Sequence, residues 1–154
     1  MIKIEEKTEW TLQIGDVYMM LFSGSWNEQS GWRSGVVFQN NIGNAKSPNI
    51  IALPLTTCLK KLNMPTHVLV RADESGLKKD SMVLCENPER MSKSKLGRYI
   101  TTLNKEQMSE IAKANMVATA AISFLDEATL LNTWRLATRL NKVKISIKLL
   151  FYIT

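Results

Sequence analysis

One histidine, His67, and two cysteines, Cys58 and Cys85, are all that this 154-residue chain offers of the side chains that most often ligate metals or shuttle protons. With a single histidine, a two-histidine acid–base pair is excluded. No cluster of His, Cys and acidic residues has the spacing of a metal site, so no metal and no cofactor are expected. The cysteines form no CxxC pair and read as reduced, buried small hydrophobes. No apolar run approaches the roughly 20 residues of a transmembrane helix, so no membrane span is expected. The first ten residues, Met1 to Trp10, are charged and acidic, unlike a secretory signal, which points to the cytoplasm. Internal repeats and low-complexity segments are also absent.

What is present is an apolar fraction of 45% spread along the chain, enough for one globular domain with a modest core. The net charge is +6. A basic surplus favours a polyanionic partner such as nucleic acid or an acidic protein segment, and a plain solvated basic surface is the alternative. Chemistry, if there is any, must come from Arg, Lys, Glu, Asp, Thr, Ser or Tyr.

Gly15-Asp16 turns the chain into a strong strand signal, Val17 to Phe22. Ser23 to Trp32 is polar, aperiodic and too long for a tight hairpin, so it reads as an exposed loop. Gly35 to Gln39 reads as a buried strand, Asn40 to Asn44 as a turn, and Asn49 to Thr56 as a further apolar strand. Pro54 within that strand suggests an edge or a bulge, because proline cannot donate to a ladder. Short strands follow at Thr66–Val70, Ser81–Cys85 and Arg98–Leu103, with Ser75-Gly76-Leu77 as a turn. A helix begins at Asn104, an N-cap with Gln107 three residues on as in a capping box. A second helix covers about Asp126 to Asn141, with Leu130, Trp134 and Ala137 on one face. The expected fold is mainly β with C-terminal helices (α+β), a compact barrel-like sheet.

An ordered set of stretches carries a family resemblance: Gly15-Asp16-Val17-Tyr18, Glu28-Gln29-Ser30-Gly31-Trp32-Arg33, Val36-Val37-Phe38-Gln39-Asn40 and Ile42-Gly43-Asn44. The set continues with Ser47-Pro48, Pro54-Leu55-Thr56, Pro65-Thr66-His67-Val68 and Gly76-Leu77-Lys78-Lys79-Asp80-Ser81. Together they resemble the MazF/PemK toxins over about Gly15 to Ala121. The resemblance implies the small SH3-like barrel of the MazF/CcdB type, a homodimer, an acidic antitoxin partner and cleavage of single-stranded RNA. It divides the chain into an N-terminal extension at 1–14, a toxin domain at 15–122 and a C-terminal extension at 123–154. This sequence departs from the family pattern at Trp26-Asn27, at Ser34, and where Glu86-Asn87-Pro88-Glu89 replaces Glu-Gln-Ile-Arg.

RNA can be cut without a metal when its own 2′-hydroxyl attacks the adjacent phosphorus. The enzyme must take the 2′-OH proton, stabilise the phosphorane oxygens and protonate the leaving 5′-oxygen. Arg33 suits the charge stabilisation, since its guanidinium holds two oxygens and stays charged. The resemblance pairs it with Thr56, whose hydroxyl can donate to a phosphate oxygen. Glu28 either acts as the base or only orients Arg33. Candidate substrate-binding residues are Asn27, Gln29, Trp32, Lys60, Lys61, Lys78 and Lys79. Trp32 either stacks on a base or plugs the barrel mouth, and each lysine either lines the RNA path or is a solvated turn charge. His67 reads as structural. The rival readings are a CcdB-type toxin that binds gyrase without catalysis, and an inactive barrel that binds RNA or antitoxin.

Overall fold

The computed structural model describes residues 12–24 and 30–142. Seven strands form one antiparallel sheet: β1 (Asp16–Ser23), β2 (Ser30–Val37), β3 (Asn49–Thr56), β4 (His67–Val70), β5 (Ser81–Leu84), β6 (Glu89–Ser92) and β7 (Leu96–Thr102). The strands run β4-β5-β3-β2-β1-β7 across the sheet, with β6 added on β3. The sheet is not closed: its path ends on β4 at one side and β7 at the other. The helices are α1 (Asn41–Lys46), α2 (Ala72–Ser75), α3 (Lys105–Thr119) and α4 (Glu127–Lys142). The mainly-β architecture with C-terminal helices follows the sequence reading.

Strand alternation builds two cores, one on each face of the sheet. Val17, Val36, Leu53 and Leu55 point to one face, where Ile111 and Ala114 of α3 cover them. Their neighbours Tyr18, Val37 and Ala52 point to the other, with Met20, Phe22, Ile50 and Met91. Gly35 makes the second core possible, because a Cβ there would lie 2.7 Å from both Met20 Sδ and Phe22 Cζ. The helix on the first face starts where its cap predicts. Asn104 Oδ1 accepts from the Gln107 N–H at 2.8 Å, and Gln107 Oε1 accepts from the Asn104 N–H at 2.9 Å.

Four local expectations change. β2 begins at Ser30, not Gly35, because β1 continues to pair with it as far as Ser23–Ser30. The exposed loop is thereby shortened, and Trp32 and Arg33 become strand residues. Asn40 does not simply turn the chain; it caps α1 by accepting from the Gly43 N–H at 2.9 Å. β3 is central, not an edge. It pairs with β2 on one side and, on the other, with β6 over Asn49–Ala52 and then with β5 over Leu55–Thr56. Pro54 stands in the gap between those two partners, where the missing N–H breaks no ladder bond. β6, of sequence Glu-Arg-Met-Ser, carries no strand signal and exists because β3 offers it an unpaired edge.

The extension reading for residues after 122 is described only to Lys142. α4 is amphipathic, with Leu130, Leu131, Trp134 and Leu136 exposed.

Two buried groups make the fold sensitive to alkali. Burial, with the nearby Asp16 carboxylate and Tyr99, pushes the Tyr18 phenol up to about 12. Burial, with Glu86 beside it, pushes the Cys85 thiol up to about 12. Both pKa values are raised on folding, so their contribution is intact at neutral pH. It falls once the unfolded chain ionises, above the ordinary thiol and phenol values, and goes on falling towards about 12. The urea midpoint should therefore be flat from pH 7 to the ordinary thiol range and drop steadily beyond it. Cys85→Ala should remove part of that drop, and an unchanged slope would refute the assignment.

Candidate active site

The β2–β3 ladder sets Val37 opposite Ala52, Val36 opposite Leu53 and Gly35 opposite Pro54. Two residues further in the same register, Arg33 comes level with Thr56, on the face shared by Gly35 and Pro54. The pairing stops before that point. β3 has turned to β5, where Thr56 pairs with Met82, while Arg33 stays on β2 opposite Met20 of β1. Arg33 and Thr56 thus flank the opening where two neighbouring strands part.

Arg33 is half-buried, and among the described residues its Nε is enclosed without a hydrogen-bond partner. An enclosed donor of this kind costs free energy until an acceptor enters, and a phosphate oxygen suits a guanidinium best. Thr56 Oγ1 accepts from the Cys58 N–H at 3.1 Å, which fixes the oxygen and leaves its own hydroxyl proton to donate. Arg33 thus offers a charged donor and Thr56 a neutral one at level positions on neighbouring strands.

The lysines lie on segments that adjoin Thr56 and its partner strand β5. Lys60 and Lys61 lie on the exposed loop that leaves Thr56, and Lys61 takes a left-handed conformation with φ 61°. Lys78 and Lys79 lie on the exposed turn that enters β5 just before Met82, the partner of Thr56. Trp32 is placed differently. It neighbours Arg33 in sequence but alternates to the opposite face of β2, and it packs over Gly97 of β7, with Cζ3 3.0 Å from where a Cβ would stand. At 58% exposure it neither plugs a core nor adjoins Arg33. Asn27, Glu28 and Gln29 lie outside the described residues.

Two arrangements carry no signal in the sequence. Glu89, which stands where the family has arginine, accepts from the Ser23 N–H at 3.0 Å and the Ser23 hydroxyl at 2.7 Å, and Lys95 Nζ donates to the same hydroxyl at 3.2 Å. These bonds tie down the end of β1, at the root of the segment that carries Glu28. His67 is the second. Its side chain is 7% exposed and its ring spans the Lys61 carbonyl and the Glu86 carboxylate. Only its place in the Pro65-Thr66-His67-Val68 motif hints at such a role. Among the described residues, no group of three or more His, Cys, Asp or Glu is arranged to hold a metal ion, and no helix is long and apolar enough to cross a membrane.

The same fold recurs in known proteins. The chain is 38% identical over 113 residues to Endoribonuclease EndoA of Bacillus subtilis, a match that covers 71% of this chain and 96% of that one. Among solved structures, MazF from Deinococcus radiodurans aligns with a TM-score of 0.62 at 17% identity, covering 71% of this chain and 96% of that one. A mycobacterial endoribonuclease solved with its cognate antitoxin aligns with a TM-score of 0.59 at 23% identity, covering 72% and 97%. The sequence model of the PemK-like, MazF-like toxins of type II toxin–antitoxin systems matches residues 13–117. That span holds the whole sheet, the strand parting with Arg33 and Thr56, and α3 as far as Val117, and on this ground the chain belongs to the PemK/MazF family of toxins.

Proposed function

We propose that this toxin is a metal-independent endoribonuclease that cuts single-stranded RNA by attack of the 2′-hydroxyl, in a sequence-selective way. The observation that carries the reading is the enclosed, unpartnered Arg33 Nε level with Thr56 at the β2–β3 parting. The relative at 38% identity is named an endoribonuclease. Arg33 holds two non-bridging oxygens of the scissile phosphate, and its charge offsets what develops in the phosphorane. Thr56 donates to one of those oxygens. Lys60, Lys61, Lys78 and Lys79 hold flanking phosphates. Glu28 is assigned either proton removal or the orientation of Arg33. The family match favours this reading over a CcdB-type gyrase binder.

The toxin acts as a homodimer in the cytoplasm, and an acidic antitoxin segment neutralises it by occupying the same opening. A cation-lined groove suits such a segment, which folds as it binds. The catalytic unit is residues 15–122, and residues 123–154 are an addition to it.

Incubation of the purified chain with end-labelled RNA, with and without EDTA, tests the reading. Cleavage at a defined short sequence, equally fast in EDTA and leaving a 2′,3′-cyclic phosphate and a 5′-hydroxyl, is the expected result. Intact RNA, or cleavage that EDTA stops, would refute it.

A further inference from the structure

The chain's one histidine bridges an exposed loop to the end of β5. The segment 57–66 leaves β3 at Thr56, opposite Met82 of β5, and returns as β4 at His67, opposite Leu84. It therefore crosses β5 in ten residues, and residues 57–65 are all exposed. Its centre is the Lys61 carbonyl. That oxygen accepts from the Met64 N–H at 3.2 Å and, from outside the loop, contacts His67 Nδ1 at 2.8 Å. The other ring nitrogen, Nε2, lies 2.8 Å from Glu86 Oε1, just past the end of β5.

A carbonyl oxygen can only accept, so Nδ1 carries a proton. A carboxylate also only accepts, so the Nε2 contact needs a second proton on the pair. A neutral ring beside an ionised Glu86 has one proton for two contacts and would set two lone pairs against each other. The two contacts therefore share two protons, one on Nδ1 and one between Nε2 and the carboxyl, with the ring 7% and the Glu86 side chain 31% exposed. Among the described residues, Glu86 is the charged side chain paired with the ring. Cys85, adjacent to Glu86, is buried. Lys60 and Lys61 are exposed on the loop. On α3, which packs against β4, the charged residues are Lys105, Glu106, Glu110 and Lys113, and Lys113 pairs with Glu110 at 2.8 Å.

We propose that His67 is a positioning residue: clamped between the Lys61 carbonyl and the Glu86 carboxylate, it holds the 57–66 loop so that Lys60, Lys61 and the Thr56 hydroxyl meet RNA in the productive arrangement. The inference rests on the ribonuclease reading for its RNA readout and on geometry alone for its ring and loop readouts.

Three measurements on the full chain test it. With 15N-labelled histidine the single imidazole is seen without overlap, and Nδ1 should carry a proton hydrogen-bonded to a carbonyl in the folded protein. Trypsin should cut after Lys60 or Lys61 slowly in the wild type and roughly tenfold faster in His67→Gln, the loss expected for one charge-assisted bond. KM for a short RNA should rise by a similar factor in His67→Gln while kcat changes much less. Glu86→Ala should reproduce both effects and carries the test if His67→Gln does not fold. The double variant should be no worse than either single one, since both remove the same clamp. An Nδ1 without a proton, or wild-type trypsin rates in both single variants, would overturn the clamp. If the wild type cut no RNA, the ribonuclease reading would fail while the ring and trypsin results still decided the clamp.

Discussion

Arg33→Ala should lose RNA cleavage by about 100-fold or more in kcat, with little change in thermal stability. The rate argument is electrostatic. In the phosphorane the non-bridging oxygens gain charge, and a fork of two N–H donors fixed beside them stabilises that state more than the ground state. The stability argument follows from burial. Arg33 Nε has no partner among the described residues, so its removal orphans no acceptor and relieves an enclosed donor. The cost is the packing of its aliphatic stem against the neighbouring strand. Arg33→Lys should recover part of the rate, because it keeps the charge and loses the fork. Thr56→Ala should be milder, roughly tenfold, since it removes one neutral hydrogen bond. Single-turnover rates together with melting curves on the same preparations check all three. An Arg33→Ala protein that is folded and cuts at the wild-type rate would remove Arg33 from the chemistry.

A strand with one 2′-deoxy nucleotide immediately 5′ of the scissile phosphate should resist cleavage and compete with all-ribose RNA. In the proposed step the 2′-oxygen forms a bond to phosphorus as its proton is taken, the P–O5′ bond breaks, and the 5′-oxygen receives a proton. The attacking oxygen is already held beside the phosphorus, an advantage that reaches on the order of 10⁵ M in effective concentration for well-oriented groups. Deleting that oxygen removes the nucleophile but keeps the phosphates and bases that Arg33 and the lysines contact. The deoxy strand should therefore bind with near-normal affinity and act as a competitive inhibitor. Efficient cutting of that strand, or products with a 5′-phosphate, would identify water as the nucleophile and reassign Arg33, Thr56 and Glu28.

The site was legible in part. Arg33 and Thr56 could be picked out because two short motifs recur in family order, and their chemistry excludes little else. Their mutual placement could not be read, because it depends on the register of β2 on β3 and on β3 changing partners at Pro54. Trp32 shows the limit of sequence adjacency. One residue from Arg33 along the chain, it lies across the sheet from it, since alternation moves successive side chains to opposite faces. Overall charge was a coarse guide, for five of the cations behind the net +6, namely Arg135, Arg139, Lys142, Lys144 and Lys148, lie beyond the matched stretch.

Local chemistry alone was enough to specify the strands at Val17–Phe22 and Asn49–Thr56, the capping box that starts α3, the amphipathic α4 and the left-handed turn at Gly76. Each of these rests on propensity or on bonds between residues a few positions apart. The strand at Glu89–Ser92, the shortening of the loop before Arg33, the open sheet and the His67–Glu86 clamp rest on partners distant in sequence. Glu-Arg-Met-Ser has no intrinsic preference for a strand and becomes one because the first half of β3 offers unpaired backbone groups that must be satisfied. The parting of β2 and β3 before Arg33 and Thr56 likewise rests on where a long-range pairing ends. On its other side β3 passes from β6 to β5 across Leu53 and Pro54, and Pro54 has no N–H to lose there.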